Sequence, residues 1–295
     1  KGELVKAQKL YQTILQKFSN NIRAQQGLAA LNKYKHNNVI QSPPQGLVDQ
    51  LVSLYNQGQI VAVVEQAEIL TEQYPGAAVV WNILGASRAQ LGMLDEAVDA
   101  YKKTISLKPD YAETYSNMGV TLKNQGKFDE AIDAYKKSIS LKPNYAEAYD
   151  NMGVALKNQG KFDEAIEAYK KSISLKPAHA KAYNNLGVAL QAQGKLEVSL
   201  EAFKKSISLK PNYAEAYNNM GITLKDQGKS EEAIEAYKKA LLLKPDYAEG
   251  YNNLGITLQD QGKLEEAIEA YKKSISLKPD HADAYNNMAL ALQYQ

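Results

Sequence analysis

Residues 112–145 read AETYSNMGVTLKNQGKFDEAIDAYKKSISLKPNY, and these residues decide the fold. Tyr115, Met118, Gly119 and Leu122 recur at steps of three and four, as do Ala131, Tyr135 and Ile139 after Gly126, and Pro143 closes the stretch. Such steps put side chains on one face of a helix, not of a strand. Two helices are expected here, separated at Gly126 and stopped before Pro143.

Laid against the rest of the chain, the stretch recurs every 34 residues, in blocks that start at Ala78, Ala112, Ala146, Ala180, Ala214 and Ala248 and together fill 78–281. Upstream, 46–77 keeps Gly58 and Pro75 in register but has Val63 and Ala67 where later blocks have alanine and tyrosine, so it reads as a degenerate copy. Gly2 to Lys17 reads as a second helix and Asn21 to Tyr34 as a first, giving partial repeat-like helices over 1–35. Residues 36–45, which hold Pro43-Pro44, are expected to be a linker, and 282–295 a lone first helix. Both ends fall inside the pattern, so the expectation is a fragment of a longer polypeptide. Its uncovered Met288, Leu290 and Leu292 are expected to draw a homo-oligomer together through the open terminal helices.

Local signals agree with two helices per block. Asp110 is placed to cap the first helix while Glu113 reaches back, and Asp129 and Glu130 open the second at its positive end. Lys136 and Lys137 are expected toward its negative end. Gly119 and Ala131 allow close helix contact, and Tyr115, Leu122, Tyr135, Ile139 and Leu141 are expected to fill the layers between helices. One block cannot bury that face alone, so neighbours must stack, as a curved rod with a concave groove.

The pattern Tyr115-x-x-Met118-Gly119-x-x-Leu122, then Ala131-x-x-x-Tyr135, then Pro143 resembles the tetratricopeptide repeat signature. The block from Ala78 adds the signature tryptophan in Trp81-x-x-Leu84-Gly85, but has Arg88 where the family prefers an aromatic. The resemblance implies an all-α fold, a right-handed superhelical solenoid of antiparallel helix pairs. It also implies a protein-protein interaction scaffold that binds proteins or extended peptides in the concave groove.

Composition restricts the alternatives. With 35 Lys plus Arg against 33 Asp plus Glu the formal charge is +2, too balanced to draw the chain onto nucleic acid or an anionic membrane. No stretch is apolar enough to span a bilayer, and a cytoplasmic location is the expectation. There is no cysteine, and His36, His179 and His281 lie too far apart in sequence for a ligand motif, so neither metal nor cofactor is expected. The glycines recur at helix turns and not after strands, which rules out a phosphate-cradling loop, and no nucleophile and base stand out. The chain is therefore not expected to be an enzyme by itself. The alternative is the substrate-recognition arm of a larger enzyme of glycosyltransferase, sulfotransferase or methyltransferase type, as the resemblance suggests. Ser138 and Ser140 read as a packed and a surface position.

On the first helix of each block a stripe turned from the core carries the pairs Ser116-Asn117, Asp150-Asn151, Asn184-Asn185, Asn218-Asn219, Asn252-Asn253 and Asn286-Asn287. A side-chain amide offers a donor and an acceptor together and can match a peptide unit. The ladder Asn117, Asn151, Asn185, Asn219, Asn253 and Asn287 is the candidate peptide-binding site, and it is similar to the one in the superhelix of protein O-linked N-acetylglucosamine transferases. The same asparagines read equally as the family's usual residue, bonded to a neighbouring helix or to water. Val120, Val154, Val188, Ile222 and Ile256 are either an apolar floor or inter-repeat core, and Lys123, Lys157 and Lys225 lie near the same face. The lysine and asparagine clamp by which some members grip a terminal carboxylate is missing. The block from Ala180 departs from its neighbours at Ala178, Lys181 and Val198-Ser199, as a hinge, as a distinct subsite or as drift.

Overall fold

A computed structural model describes residues 2–37 and 42–295. Among them there are seventeen α-helices and no strand, so the protein is all-α. The chain divides into two compact units, Lys1–Asp110 and Tyr111–Gln295.

The first unit holds α1 (Gly2–Lys17), α2 (Ile22–Asn37), α3 (Gln45–Asn56), α4 (Ile60–Gln73), α5 (Ala78–Gln90) and α6 (Leu94–Leu107). Part of the linker expected over 36–45 lies at 38–41, outside the described residues; α2 runs to Asn37, and Pro44 sits at the N-cap of α3. Leu51, Val63, Ala67, Val80 and Leu84 form the core of α3 to α5, with Trp81 packed against them. The degenerate copy reverses the usual sizes. Regular blocks set a glycine of the first helix under an aromatic ring of the second, whereas 44–77 has the larger Leu51 on the first and the small Ala67 on the second, both fully buried. Volume is thereby roughly conserved across the pair. Arg88, out of pattern, ion-pairs with Glu68 at 2.7 Å.

The second unit holds α7 (Ala112–Asn124), α8 (Phe128–Leu141), α9 (Ala146–Asn158), α10 (Phe162–Leu175), α11 (Ala180–Ala192), α12 (Leu196–Leu209), α13 (Ala214–Asp226), α14 (Ser230–Leu243), α15 (Ala248–Asp260), α16 (Leu264–Leu277) and α17 (Ala282–Tyr294). Each helix packs against the next. Within a block the aromatic ring of the second helix lies on the glycine of the first: a Cβ on Gly119 would come within 2.7 Å of the Tyr135 ring, and one on Gly187 within 2.6 Å of Phe203. Those rings are fully buried, as is Ala131. Leu122 is buried too, while Tyr115, Ile139 and Leu141 are only half-buried.

The turn within each block is closed by its glycine. Gly126 has φ 76°, its N–H bonds to the Lys123 carbonyl and that of Lys127 to Leu122, the pairing that satisfies the last carbonyls of a helix. The start of the helix corrects the sequence reading. Tyr111, not Asp110, is the N-cap of α7, and no side chain caps it. Glu113 instead bonds to Lys142 Nζ at 2.7 Å, and Glu147 does the same with Lys176. A carboxylate two residues into the helix is thus used to tie its start to the end of the same block. Nor do Lys136 and Lys137 reach the last turn of α8, which has no basic residue. Ser138 is buried and donates to the Ala112 carbonyl at 2.8 Å, while Ser140 is exposed.

Candidate functional site

Within the second unit, consecutive first helices, α7, α9, α11, α13, α15 and α17, touch one another, whereas the second helices between them do not. The first helices therefore line the tighter, inner side of this unit. Val120, Val154, Val188, Ile222 and Ile256 on these helices are half-buried, and the last two also pack on the core.

The two members of each polar pair have different surroundings. Ser116, Asp150, Asn184, Asn218 and Asn252 are buried, which corrects the expectation that both members face away from the core, and only Asn286, in the last helix, is exposed as expected. The second members, Asn117, Asn151, Asn185, Asn219, Asn253 and Asn287, are half-buried on the inner side. Four of them reach back to the preceding block. Asn185 donates from Nδ2 to Asp150 Oδ1 at 2.9 Å; Asn219, Asn253 and Asn287 donate to Oδ1 of Asn184, Asn218 and Asn252, each at 3.1 Å. The backbone carbonyls of Asn117, Asn219 and Asn253 accept from Thr121, Thr223 and Thr257. Each of the four Nδ2 bonds fixes the plane of a ladder amide and spends one of its two N–H groups. Spacing alone could not reveal this, because the partners are 35 residues apart in sequence.

One level is charged. Asp150 takes the slot of Asn184, Asn218 and Asn252, and its side chain is only 3% exposed. Besides Asn185, it faces Lys181 Nζ at 3.5 Å. The other complete blocks of this unit have glutamate at the register of Lys181. Lys123 on α7 is half-buried; burial lowers its pKa first, then Lys181 and Lys157, while Asp150 acts in the opposite sense.

The tyrosine hydroxyls differ along the unit in the same way. Tyr237 is hydrogen-bonded to Thr257 in the following block and Tyr271 donates to Gln259 Oε1 at 2.9 Å, but the buried hydroxyls of Tyr135 and Tyr169 have no protein partner. At the register of Thr257 the blocks after these two carry Ala155 and Ala189. His179 and His281, at the N-caps of α11 and α17, bond through Nδ1 to Ser172 and Ser274. No group of three or more His, Asp or Glu among the described residues is placed to hold a metal ion. No helix among them is long and apolar enough to cross a membrane. A cleft of about 470 Å³ opens elsewhere, between α8 and α10, floored by Tyr149, Met152 and Leu156.

A search of curated protein sequences returned no match. In structure the chain is similar to the Cut9-Hcn1 hetero-tetramer of the APC/C, at TM-score 0.70 and 18% identity, over 98% of this chain and 52% of that one. The chain thus spans about half the length of that relative. It is similar to MamA at TM-score 0.50 and 32% identity, over 56% of this chain and 96% of MamA. It is also similar to YrrB, described as a TPR protein with an unusual peptide-binding site, at TM-score 0.50 and 24% identity, over 64% of this chain and 97% of YrrB. The family model described as "Tetratricopeptide repeat" matches residues 179–246 and 213–280, and the one described as "TPR repeat" matches 85–126, 122–160 and 155–194. Glycine under aromatic ring, left-handed turn and stacked helix pairs recur through the residues so matched, and the chain belongs to the tetratricopeptide repeat family.

Proposed function

We propose that this interaction scaffold holds an extended partner peptide by its backbone, on the inner face of the second unit, through Asn117, Asn151, Asn185, Asn219, Asn253 and Asn287. The observation that carries this reading is the inter-block bonding of the ladder. An amide already oriented by one bond has little rotamer entropy left to lose when its other N–H and its oxygen engage a peptide unit. Packed helices lie about 8–10 Å apart and an extended chain advances about 3.3 Å per residue, so one ladder amide meets about every third residue of the peptide. The half-buried Val188, Ile222 and Ile256 beside the ladder supply apolar contact between those points.

Backbone recognition of this kind tolerates many side-chain sequences. The test uses a peptide selected against the chain from a random display library, titrated calorimetrically. Replacing Asn219, Asn253 and Asn287 together by alanine is expected to weaken binding more than tenfold, since each hydrogen bond contributes about 0.5–1.5 kcal/mol. Alanine at the exposed Lys204, Lys238 and Lys272 is the control and should change little. Unchanged affinity in the asparagine variant, with helicity verified by circular dichroism, would remove the ladder from the site.

A further inference from the structure

The block from Ala180 carries a charge reversal whose surroundings make it more than a neutral change. At its register Glu113 and Glu147 are tied to Lys142 and Lys176 at 2.7 Å, and Glu215 and Glu249 pair with Lys244 and Lys278 at 3.5 Å. Lys181 is directed instead to Asp150 on the preceding first helix. Both oxygens of that carboxylate are engaged, one by Asn185 and one by Lys181. Lys123 and Lys157, one block apart at the last turns of α7 and α9, are half-buried, and Lys123 lies within electrostatic reach of Lys157, Lys181 and the same carboxylate.

We infer that Lys123, Lys157 and Lys181 form an anion subsite on the inner face of α7, α9 and α11, which takes an acidic side chain of the bound peptide. Lys181 sits on one buried carboxylate, Lys123 lies within electrostatic reach of Lys181, Lys157 and that carboxylate, and Glu113 and Glu147 are committed to Lys142 and Lys176. Burial above all, then Lys181 and Lys157, penalise the charged Lys123 against the opposing pull of Asp150, and an incoming carboxylate offsets the like charges. The buried Asp150 holds Lys181 at the edge of the cluster, so the subsite is ordered before the peptide arrives. Further along, the register of Lys123 holds Gln191, Lys225 and Gln259, and glutamate stands at that of Lys181, so lysines at both registers meet only at one end of the ladder. A peptide is thereby read in one direction, with its acidic residue at α7 to α11. The inference deepens the proposed backbone reading and rests on it for the path of the peptide.

Fluorescence anisotropy with a labelled eight-residue Glu-Ala repeat peptide and its Gln-Ala counterpart tests this. The Glu-Ala peptide is expected to bind about tenfold more tightly at low ionic strength, with the difference shrinking as salt is added. Lys181→Glu sets a second carboxylate beside the buried Asp150, so its helicity is verified by circular dichroism and the milder Lys181→Gln is titrated beside it; both are expected to abolish the preference, and Lys123→Gln should reduce it severalfold. Lys225→Gln, outside the cluster, should leave it within about twofold. Equal affinity for the two peptides, or equal effects of Lys181→Glu and Lys225→Gln, would overturn the subsite. So would a single-stranded DNA of the same length that binds more tightly than the Glu-Ala peptide and is released by Lys181→Glu. The same titrations in the Asn219, Asn253 and Asn287 alanine variant separate the two proposals. If the ladder variant keeps wild-type affinity while Lys181→Glu abolishes the preference, the subsite stands and the backbone reading falls; the opposite result removes the subsite alone.

Discussion

The levels from α7 to α11 and those from α13 to α17 are copies of one repeat with different chemistry. In the second stretch the inter-block bond joins two neutral amides, Asn253 to Asn218 and Asn287 to Asn252. In the first, Asn185 bonds to the buried Asp150, Lys181 closes on the same carboxylate, and the hydroxyls of Tyr135 and Tyr169 are left without a protein partner. The aromatic ring lies on its glycine in both. The difference teaches that packing and polar chemistry vary independently in this array. The fit of ring on glycine is set inside a block, while the ladder bonds and the bond of Tyr237 to Thr257 run between blocks and change with single residues.

The largest expected effect should be the same in both stretches. Tyr169→Ala and Tyr237→Ala each empty a buried layer and should each cost roughly 3–5 kcal/mol, measured by urea unfolding of the full chain. A difference of several kcal/mol between the two would break the claim that packing is equivalent at both levels.

Next in size, Asn253→Ala removes the donor to the buried Asn218 Oδ1 and should cost about 1–3 kcal/mol, because that acceptor is left without its partner. The double change with Asn218→Ala should recover part of the loss. Additive losses in that cycle would show that the bond is not formed in solution.

The sharpest contrast comes from phenylalanine. Tyr237→Phe gives up the bond to Thr257 and should cost about 0.5–1.5 kcal/mol, whereas Tyr135→Phe and Tyr169→Phe delete hydroxyls that have no protein partner and should be neutral or stabilising. Equal losses at all three positions would mean that the first stretch satisfies its hydroxyls in some other way.

The smallest effect is in pH. Burial, above all, holds the pKa of His179 below its ordinary value of 6.5, while Asp150 opposes the shift. The unfolded chain therefore takes up the proton more readily, and the stability contributed by neutral His179 is complete above pH 6.5 and lost as pH falls through the folded pKa. His179→Tyr, the residue at this register in the blocks from Ala112, Ala180 and Ala214, should flatten the decline in melting temperature on acidification toward pH 5. A decline just as steep in that variant would place the titrating group elsewhere.

Much of this was open to reading before any coordinates. The period, the break at Gly126, the all-α class and the buried Ala131, Tyr135 and Ser138 follow from steps of three and four, since a helix turns by a fixed angle per residue. The reversed sizes of Leu51 and Ala67 were visible as substitutions, yet only the packed helices show that they belong to one layer. Capping was misjudged at Asp110 and Glu113 because the local motif competes with Lys142, which lies far along the chain and reaches Glu113 only once the block has closed. For the same reason the inward turn of Asp150, Asn184 and Asn218, their bonds to the next block and the meeting of Lys181 with Asp150 were settled by tertiary structure alone. A residue's own helix fixes its direction, but its partner here comes from a helix 35 residues or about as many away, and no local pattern carries that distance.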